Sequence, residues 1–176
     1  MRKSGILLPV SSLPSAYGIG CFSGEAYEFI DKLKAAGQSY WQILPLGPTS
    51  YGDSPYQSFS SFAGNPYFIS LDDLVEDGYL TREDCTSCDF GDNEEYVDYE
   101  KLYKNRFILL RKAYENSHIK DNVEFQSFVQ ENKDWLDNYA LYMAVKTHFN
   151  NTCWVEWDED IKLRKPEALK KYQKEY

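Results

Sequence analysis

Two short apolar runs, Gly5–Leu8 and Tyr40–Leu44, lie near the beginning of the chain, and a proline closes each of them. Runs of this length that end at a proline are typical of buried strands. Between them the apolar positions repeat with a helical period, with Ser23 as N-cap and Gly37 as the residue that ends the helix. The apolar stripe of this helix consists of Ala26, Phe29, Ile30 and Leu33. The pattern predicts a strand–helix–strand unit of the α/β class with a parallel, buried sheet.

The later part of the chain is predominantly helical in its pattern. A short helical segment over Leu71–Asp77 ends at Gly78. Asp98 is the predicted N-cap of a long helix that runs to about Asn116. The predicted apolar face of this long helix consists of Leu102, Tyr103, Phe107, Leu110 and Tyr114.

Three further helices are predicted towards the end of the chain. Asp121 and Glu124 have the spacing of a capping box and precede a short apolar helix. Trp135–Phe149 forms a helix with a broad apolar face. Pro166 suits the first position of a last helix, which reaches Tyr176 without a C-terminal signal.

Two parallel strands do not make a stable sheet by themselves, so the pattern requires neighbouring strands that these residues do not supply. The unfinished last helix supports the same expectation, that the chain is the first part of a longer protein. By itself the chain is expected to self-associate through its open sheet edge and uncovered apolar faces. A strictly monomeric species in light scattering at high concentration would contradict this expectation.

The net charge of −9 argues against a nucleic-acid partner, because neutralising phosphates requires clustered lysine and arginine. No apolar run approaches the roughly 20 residues that span a bilayer, so no membrane segment is expected. The apolar run after the basic start MRK is short and interrupted by Pro9, which argues against a signal peptide. The expected location is the cytoplasm.

The four cysteines do not have the spacing of a metal site. Cys21 and Cys153 stand alone, and Cys85 and Cys88 form a single C-x-x-C without a second pair or a histidine at the required distance. We therefore expect no metal and thiols that are half-buried or exposed. No phosphate-binding glycine loop or nucleophile elbow is present either.

The segment from Tyr51 to Gln57, YGDSPYQ, is the strongest candidate for a binding site. One interpretation is a pair of turns, in which Gly52 and Pro55 supply the backbone angles and Asp53 and Ser54 form local hydrogen bonds. The other is a binding loop, in which planar rings cover the C–H faces of sugars while Asp53, Ser54 and Gln57 bind their hydroxyls. From composition alone, turn chemistry explains most of these residues.

Glycosidic-bond chemistry with retention requires two carboxylates about 5–5.5 Å apart. Asp53 is the only carboxylate of the loop. Acidic clusters elsewhere fit solvated helix faces better than a site. They consist of Asp72, Asp73, Glu76 and Asp77, and of Glu156, Asp158, Glu159 and Asp160.

Several long motifs closely resemble the amylomaltases, the 4-α-glucanotransferases of glycoside hydrolase family 77. The first three are GILLPVSSLPSAYGIG from Gly5, AGQSYWQILPLGPT from Ala36, and YGDSPYQSFSSFAGNP from Tyr51. The run WLDNYALYMAVKTHFN from Trp135 and the segment Trp157–Leu169 are also similar to that family. The resemblance covers nearly the whole chain.

The resemblance implies the N-terminal part of a (β/α)8 TIM barrel with a largely helical inserted subdomain. Residues 1–66 would be the first barrel strands and the substrate loop, 67–155 the inserted subdomain, and 156–176 the start of the return to the barrel. It implies transfer of α-1,4-glucan segments between maltooligosaccharides or to glucose, by a retaining mechanism without cofactor or metal. The partners would be α-glucans, maltooligosaccharides and glucose.

Residue by residue, the resemblance implies that Ser54 and Tyr56 line the donor subsites, flanked by Asp53 and Gln57. Tyr51 and Tyr99 would belong to a second glucan-binding site. The nucleophile and the acid/base of this family lie in later barrel strands, so no catalytic residue is expected in this chain and the chain alone is expected to be inactive.

Two other interpretations remain open at this point. The aromatic loop without a carboxylate pair also fits a non-catalytic α-glucan-binding module. The tyrosines also fit the core of a helical interaction domain.

Overall fold

The structure is a computed structural model that describes residues 2–50, 52–93 and 95–176. It divides into two compact units, residues 1–119 and residues 120–176. The first contains β1 (Gly5–Leu7), α1 (Gly24–Ala35), β2 (Tyr40–Gln42), α2 (Leu71–Glu76), α3 (Arg82–Thr86) and α4 (Tyr99–Ser117). The second contains α5 (Val123–Glu131), α6 (Lys133–His148), α7 (Glu159–Lys162) and α8 (Pro166–Glu175). The domain division that the resemblance implies stays a prediction.

β1 and β2 pair in parallel, with Gly5 opposite Tyr40 and Leu7 opposite Gln42. The Leu8 N–H extends the pairing and donates to the Gln42 carbonyl oxygen at 3.0 Å. A Cβ at Gly5 would lie 2.5 Å from the Tyr40 carbonyl oxygen, so this close approach requires glycine. The predicted α/β unit with a parallel strand pair is confirmed.

The predicted burial of both strands is wrong. Leu7 is 55% exposed, and Ile6 and Tyr40 are exposed as well. Among the described residues each strand has only the other as a neighbour, so the faces of this two-stranded sheet lie open. β2 also ends at Gln42 and not at Leu44, because the backbone pairing with β1 ends there.

α1 and α2 agree with the predicted helices. Ser23 occupies the N-cap of α1, but its hydroxyl donates to the Glu25 carboxylate and accepts no backbone N–H. Gly37 follows the helix with a φ of 72°, as a glycine at this position should. At α2 the Ser70 hydroxyl accepts the Asp73 N–H at 3.1 Å.

α4 begins after Asp98 as predicted, and the Asp98 carboxylate accepts the Lys101 N–H at 3.0 Å. Its buried stripe differs from the predicted one, because Tyr103 and Phe107 are exposed. The buried positions are Leu102, Arg106, Leu109 and Ala113. They repeat with helical spacing, but Arg106 interrupts the apolar pattern. A prediction from hydrophobicity alone therefore does not identify this face as the buried one.

The core of the first unit lies between α4, the segment that leads into α2, and the loops around α3. Its buried residues are Tyr17, Ile19, Tyr67, Leu71, Leu80, Cys85, Phe90, Leu102, Leu109 and Ala113. A second, smaller cluster of Val10, Leu13 and Ala26 packs α1 against the segment that follows β1.

The second unit is helical, with a core of Val145, Trp157, Ile161 and Tyr172. α6 and α8 are close to their predicted ranges, and Pro166 is the first residue of α8. The N-cap of α5 is Asn122, whose side-chain oxygen accepts the Phe125 N–H at 3.0 Å. The predicted capping pair of Asp121 and Glu124 is therefore wrong by one position. The short helices α3 and α7 were not predicted.

The expectation of half-buried or exposed thiols is wrong for two of the four cysteines. Cys21 and Cys85 are buried, Cys88 is half-buried and Cys153 is exposed, and all four are free. Within the described ranges, no group of three or more His, Cys, Asp or Glu residues is placed to hold a metal ion. No helix of those ranges has the length and apolar character needed to cross a bilayer.

Candidate functional site

The loop that follows β2 is folded back on itself by turn hydrogen bonds. The Asp53 N–H donates to the Ser50 carbonyl at 3.0 Å, and the Gln57 N–H donates to the Ser54 carbonyl at 3.1 Å. The Ser50 hydroxyl also donates to the Gln57 carbonyl at 3.3 Å. The turn interpretation of this loop is therefore confirmed. It describes the backbone only and leaves the binding role of the side chains open.

Tyr51, which was predicted for a second glucan site, lies outside the described residues. Tyr56 is 73% exposed, so most of its ring surface is in contact with solvent. Gln57 is exposed and Ser54 is half-buried, with its hydroxyl accepting the Tyr56 N–H at 3.4 Å. The turn thus presents an aromatic ring and a side-chain amide to solvent at consecutive positions.

Asp53 is placed differently, because its side chain is half-buried at a small cavity of about 30 Å³. A cavity of this size holds about one water molecule. Segments that follow both strands line it, with Pro9, Val10 and Ser11 after β1 and Leu44, Pro45 and Leu46 after β2. Thr49, Pro55, Asn65 and Tyr99 also line it, together with Ile19 and Phe68. The carboxyl ends of two parallel strands therefore converge on Asp53.

Burial raises the pKa of the Asp53 carboxyl group, and the Thr49 hydroxyl, which donates to it at 3.4 Å, acts in the opposite direction. The carboxylate in turn affects two phenols. Burial, reinforced by the Asp53 charge, raises the pKa of Tyr67 to about 12 and also raises the pKa of Tyr99. The structure thus brings together Asp53 and Tyr99, two of the predicted site residues, although 46 positions separate their numbers in the sequence.

An aromatic platform continues from this cavity. Its members are Tyr67, Tyr99, Tyr103 and Phe107, with the Tyr67 ring 6.2 Å from the Tyr99 ring and 5.7 Å from the Phe107 ring. The buried Asn65 fixes Tyr67, because its side-chain oxygen accepts the Tyr67 N–H at 3.0 Å. The sequence interpretation missed Asn65 and Tyr67. The Asn-Pro pair at the start of their 3-10 turn was the available signal.

A fully buried arginine, Arg106, lies on α4, the helix that also carries Tyr99, Tyr103 and Phe107 of the platform. Its Nη2 donates to the Ile69 carbonyl oxygen, and its guanidinium group lies beside the thiol of Cys21. Nε and Nη1 have no hydrogen-bond partner in the part of the chain that the structure describes. Burial lowers the pKa of this arginine. Arg106 therefore ties the segment before α2, which carries Asn65 and Tyr67, to α4.

The acidic clusters lie on exposed surfaces, as predicted. In the first cluster Asp73, Glu76 and Asp77 are exposed, while Asp72 accepts a hydrogen bond from the Tyr17 hydroxyl at 3.1 Å. In the second cluster, residues 156 and 158–160 are all exposed. Among the described residues that line the cavity, Asp53 is the only carboxylate. The arrangement can bind polar groups but does not provide the carboxylate pair of a retaining glycosidase mechanism.

We expect Asp53→Asn to stabilise the chain at neutral pH. Because the folded chain raises the pKa of Asp53, it holds this proton more tightly than the unfolded chain, and the free energy of unfolding falls as pH rises from about 3.9 through the raised value. Asparagine does not ionise, so the free energy of unfolding of the variant does not fall over this pH range. Asparagine also tolerates the φ of 51° at this position. Urea unfolding should show a stability gain at pH 7 that disappears below about pH 3.5.

Asp31→Asn, at an exposed position of α1, is the control for the removal of one negative charge. If Asp53→Asn were less stable than the parent chain at pH 7, the half-buried carboxylate would be a stabilising group. That result would contradict the conclusion that burial of the ionised Asp53 carboxylate lowers the stability of the chain at neutral pH.

Comparison with known proteins gives a consistent result across the chain. The family model described as 4-alpha-glucanotransferase matches residues 8–176. The 4-alpha-glucanotransferase of Clostridium butyricum is 55% identical over 166 residues, and that of Streptococcus pneumoniae is 52% identical over 176 residues. These matches cover 94% and 99% of the present chain. The solved amylomaltase from Streptococcus agalactiae in complex with acarbose is 42% identical, with a TM-score of 0.93 over 99% of the chain.

The chain spans about a third of the length of these relatives. It covers 34% and 35% of the two curated proteins and 36% of the solved amylomaltase chain. The family match includes the loop 52–57, the cavity around Asp53 and all of the second unit. The chain therefore belongs to the family of 4-alpha-glucanotransferases.

Proposed function

We propose that the chain is the N-terminal part of an enzyme that transfers α-1,4-glucan segments between maltooligosaccharides, with glucose or another glucan as acceptor. The observation that carries this proposal is the family match over residues 8–176. We call a polypeptide of the relatives' length that contains residues 1–176 the long form. The proposal concerns the activity of the long form and the share of the site that this chain supplies.

The proposed architecture of the long form is a (β/α)8 barrel with a helical inserted subdomain. In such barrels, the loops at the carboxyl ends of the parallel strands build the ligand site. The two strands of this chain fit that arrangement, because the segments after β1 and after β2 line one cavity together with Asp53. The exposed faces of the two strands are available for further strands and helices of the barrel.

We assign the substrate-binding role of this chain to four residues of the loop. The exposed ring of Tyr56 provides a flat apolar surface for the C–H face of a glucose unit, a contact that aromatic side chains make well. Ser54 and Gln57 would hydrogen-bond sugar hydroxyls beside it, and Asp53 would do so from the half-buried cavity. Tyr51 and Tyr99 remain the proposed residues of a second glucan site, and Tyr99 lies next to the cavity.

The bond-making chemistry requires groups from the rest of the long form. In a retaining transfer, a carboxylate displaces the leaving glucan and forms a covalent glycosyl-enzyme, while a carboxylic acid protonates the leaving 4-oxygen. The acceptor's 4-hydroxyl then loses its proton to that second group and displaces the enzyme carboxylate. Asp53 lacks a carboxylate partner at the cavity within the described ranges, so we assign it to binding and not to catalysis.

Incubation with maltotriose tests the proposal. The long form should release glucose and form longer maltooligosaccharides while the total number of reducing ends stays constant, because each broken glycosidic bond is replaced by a new one. The 176-residue chain should release no glucose, because effective catalysis requires both carboxylates in position. Reducing ends that increase together with glucose would indicate a hydrolase and contradict the proposal.

The alternative function, a non-catalytic α-glucan-binding module, is favoured by one observation, the exposed ring of Tyr56 beside a single carboxylate. Calorimetry with maltoheptaose separates the two functions. Saturable binding by the 176-residue chain, together with a long form that rearranges no maltotriose, would favour the module.

A further inference from the structure

An open apolar groove of about 390 Å³ lies in the second unit, between α6, α7 and α8. Its apolar wall includes Tyr142, Val145 and Trp157, and its rim includes Trp154, Lys162 and Arg164. Trp154 is 50% exposed, and nearby Leu163 is exposed as well. This volume is within the range of ligand pockets, so a groove of this size is available to bind a partner.

Trp157, which lines this groove, has a buried hydrogen-bond donor without a partner among the described residues. Its side chain is 7% exposed and stacks on Phe149 with ring centres 5.7 Å apart. Its indole N–H, which can only donate, has no acceptor among the described residues. Buried indole N–H groups usually have a partner, so Trp157, which lines the groove, lacks one hydrogen-bond acceptor.

The two cations of the rim are already engaged. Lys162 Nζ donates to the Val155 carbonyl at 3.1 Å, and Arg164 Nη2 donates to the Asn138 side-chain oxygen at 2.7 Å. Among the described residues that line the groove, none has a carboxylate or amide side chain. A polyhydroxylated sugar would find few groups to bind its hydroxyls. The groove therefore fits an apolar side chain accompanied by a single carbonyl oxygen.

We propose that a further apolar segment of the same polypeptide occupies this groove in the long form. Such a segment would pack against Trp154 and Trp157, and one of its carbonyl groups would accept the Trp157 N–H. The relatives supply the argument for this occupant, because they are about three times as long as the chain and leave ample polypeptide to cover the groove. The inference rests on the long form that the proposed function also requires, but not on its catalytic activity.

Hydroxyl-radical footprinting read by mass spectrometry tests the proposal. Trp154 should be oxidised at least about tenfold more slowly in the long form than in the 176-residue chain, because its exposed half becomes covered. Phe128 on α5 is the matched control, since it is similarly exposed and lies outside the groove. Its rate should agree within about twofold between the two proteins. Equal rates for Trp154 in both proteins would overturn the proposal.

A substitution at Trp157 provides a second readout that does not depend on radical footprinting. Trp157→Phe keeps an aromatic ring but removes the N–H, so the carbonyl of the docked segment loses its donor. Phenylalanine is also smaller and leaves a cavity in this core, so the free energy of unfolding should fall in both proteins. Urea unfolding should show the larger fall in the long form, which also loses the hydrogen bond. A loss in the long form no larger than the loss in the 176-residue chain would contradict the proposal.

Other occupants give different results. If Trp154 stays reactive in the long form until maltoheptaose is added, the groove binds glucan and the proposal is overturned. If the 176-residue chain protects Trp154 more strongly as its concentration rises, a second copy is the occupant, and this also overturns it. A long form that protects Trp154 but transfers no glucan would refute the proposed function alone.

Discussion

The long form with Tyr56→Ala is expected to lose about a hundredfold in kcat/KM for the rearrangement of maltotriose. The Tyr56 ring is 73% exposed without ligand, so a glucose unit that stacks on it buries a large apolar surface. Aromatic contacts at the centre of a binding site typically contribute about 2–3 kcal/mol, and each 1.4 kcal/mol corresponds to about tenfold in rate. Glucose release at several maltotriose concentrations measures the change.

Tyr27→Ala is the matched control for this experiment. Tyr27 has the same exposure, 73%, but lies on α1 and outside the lining of the cavity. Its removal should change kcat/KM by less than about twofold. Tyr56→Phe keeps the ring and should retain most of the activity. If Tyr56→Ala retained more than half of the parent activity, Tyr56 would have only a structural role, and the binding assignment of the loop would fail.

The second large effect is expected from Arg106→Ala, which should destabilise the 176-residue chain by about 3–4 kcal/mol. Arg106 is fully buried, and its removal leaves a cavity next to Leu102 and Leu109 and takes the donor from the Ile69 carbonyl. The segment around Ile69 leads directly from Asn65 and Tyr67 into α2. Urea unfolding followed by circular dichroism measures the loss.

Arg106→Met separates packing from charge. Methionine fills most of the same volume and removes a buried cation that has two unpaired donors, so the loss should be no more than about 1 kcal/mol. If Arg106→Ala were as stable as the parent chain, the hydrogen bond from the guanidinium to Ile69 would not stabilise the packing of the segment before α2 against α4. Equal losses for both variants would show that the hydrogen bond to Ile69, and not packing, dominates.

The sequence was sufficient to predict the elements that have local signals. Proline after each strand, Ser23 and Gly37 around α1, and Asp98 before α4 are such signals, and each of these elements is present in the structure. Caps and turn residues act within a few positions of themselves, so they can be interpreted without knowing the fold. The parallel pairing followed from the helix that separates the two strands.

Features that depend on distant contacts were not predictable in this way. The buried face of α4 was misassigned because Arg106 has a polar side chain, and its burial depends on Ile69 and Cys21, far away in sequence. The strands were expected to be buried because their composition is that of a buried strand, whereas the described residues supply only one neighbour for each. α3 is too short to show a helical period, although Thr81 and Asp84 form a capping box there.

The candidate site was predictable in part. The loop from Tyr51 to Gln57 was identified from its residue types and from the resemblance to a family, and its turn structure followed from Gly52 and Pro55. The convergence of Tyr67 and Tyr99 on Asp53 could not be predicted, because it depends on how α4 packs against the segment before α2. The roles of individual residues in substrate binding stay predictions.

The central claim is that this chain supplies one wall of an α-glucan site through the loop 53–57. The most direct measurement is a crystal structure of the long form with acarbose, a ligand that a related amylomaltase binds. We predict a sugar ring within about 4 Å of the Tyr56 ring and a hydrogen bond of about 3 Å from Ser54 or Gln57 to a sugar hydroxyl. Acarbose bound in the catalytic site without any contact to residues 53–57 would contradict the claim.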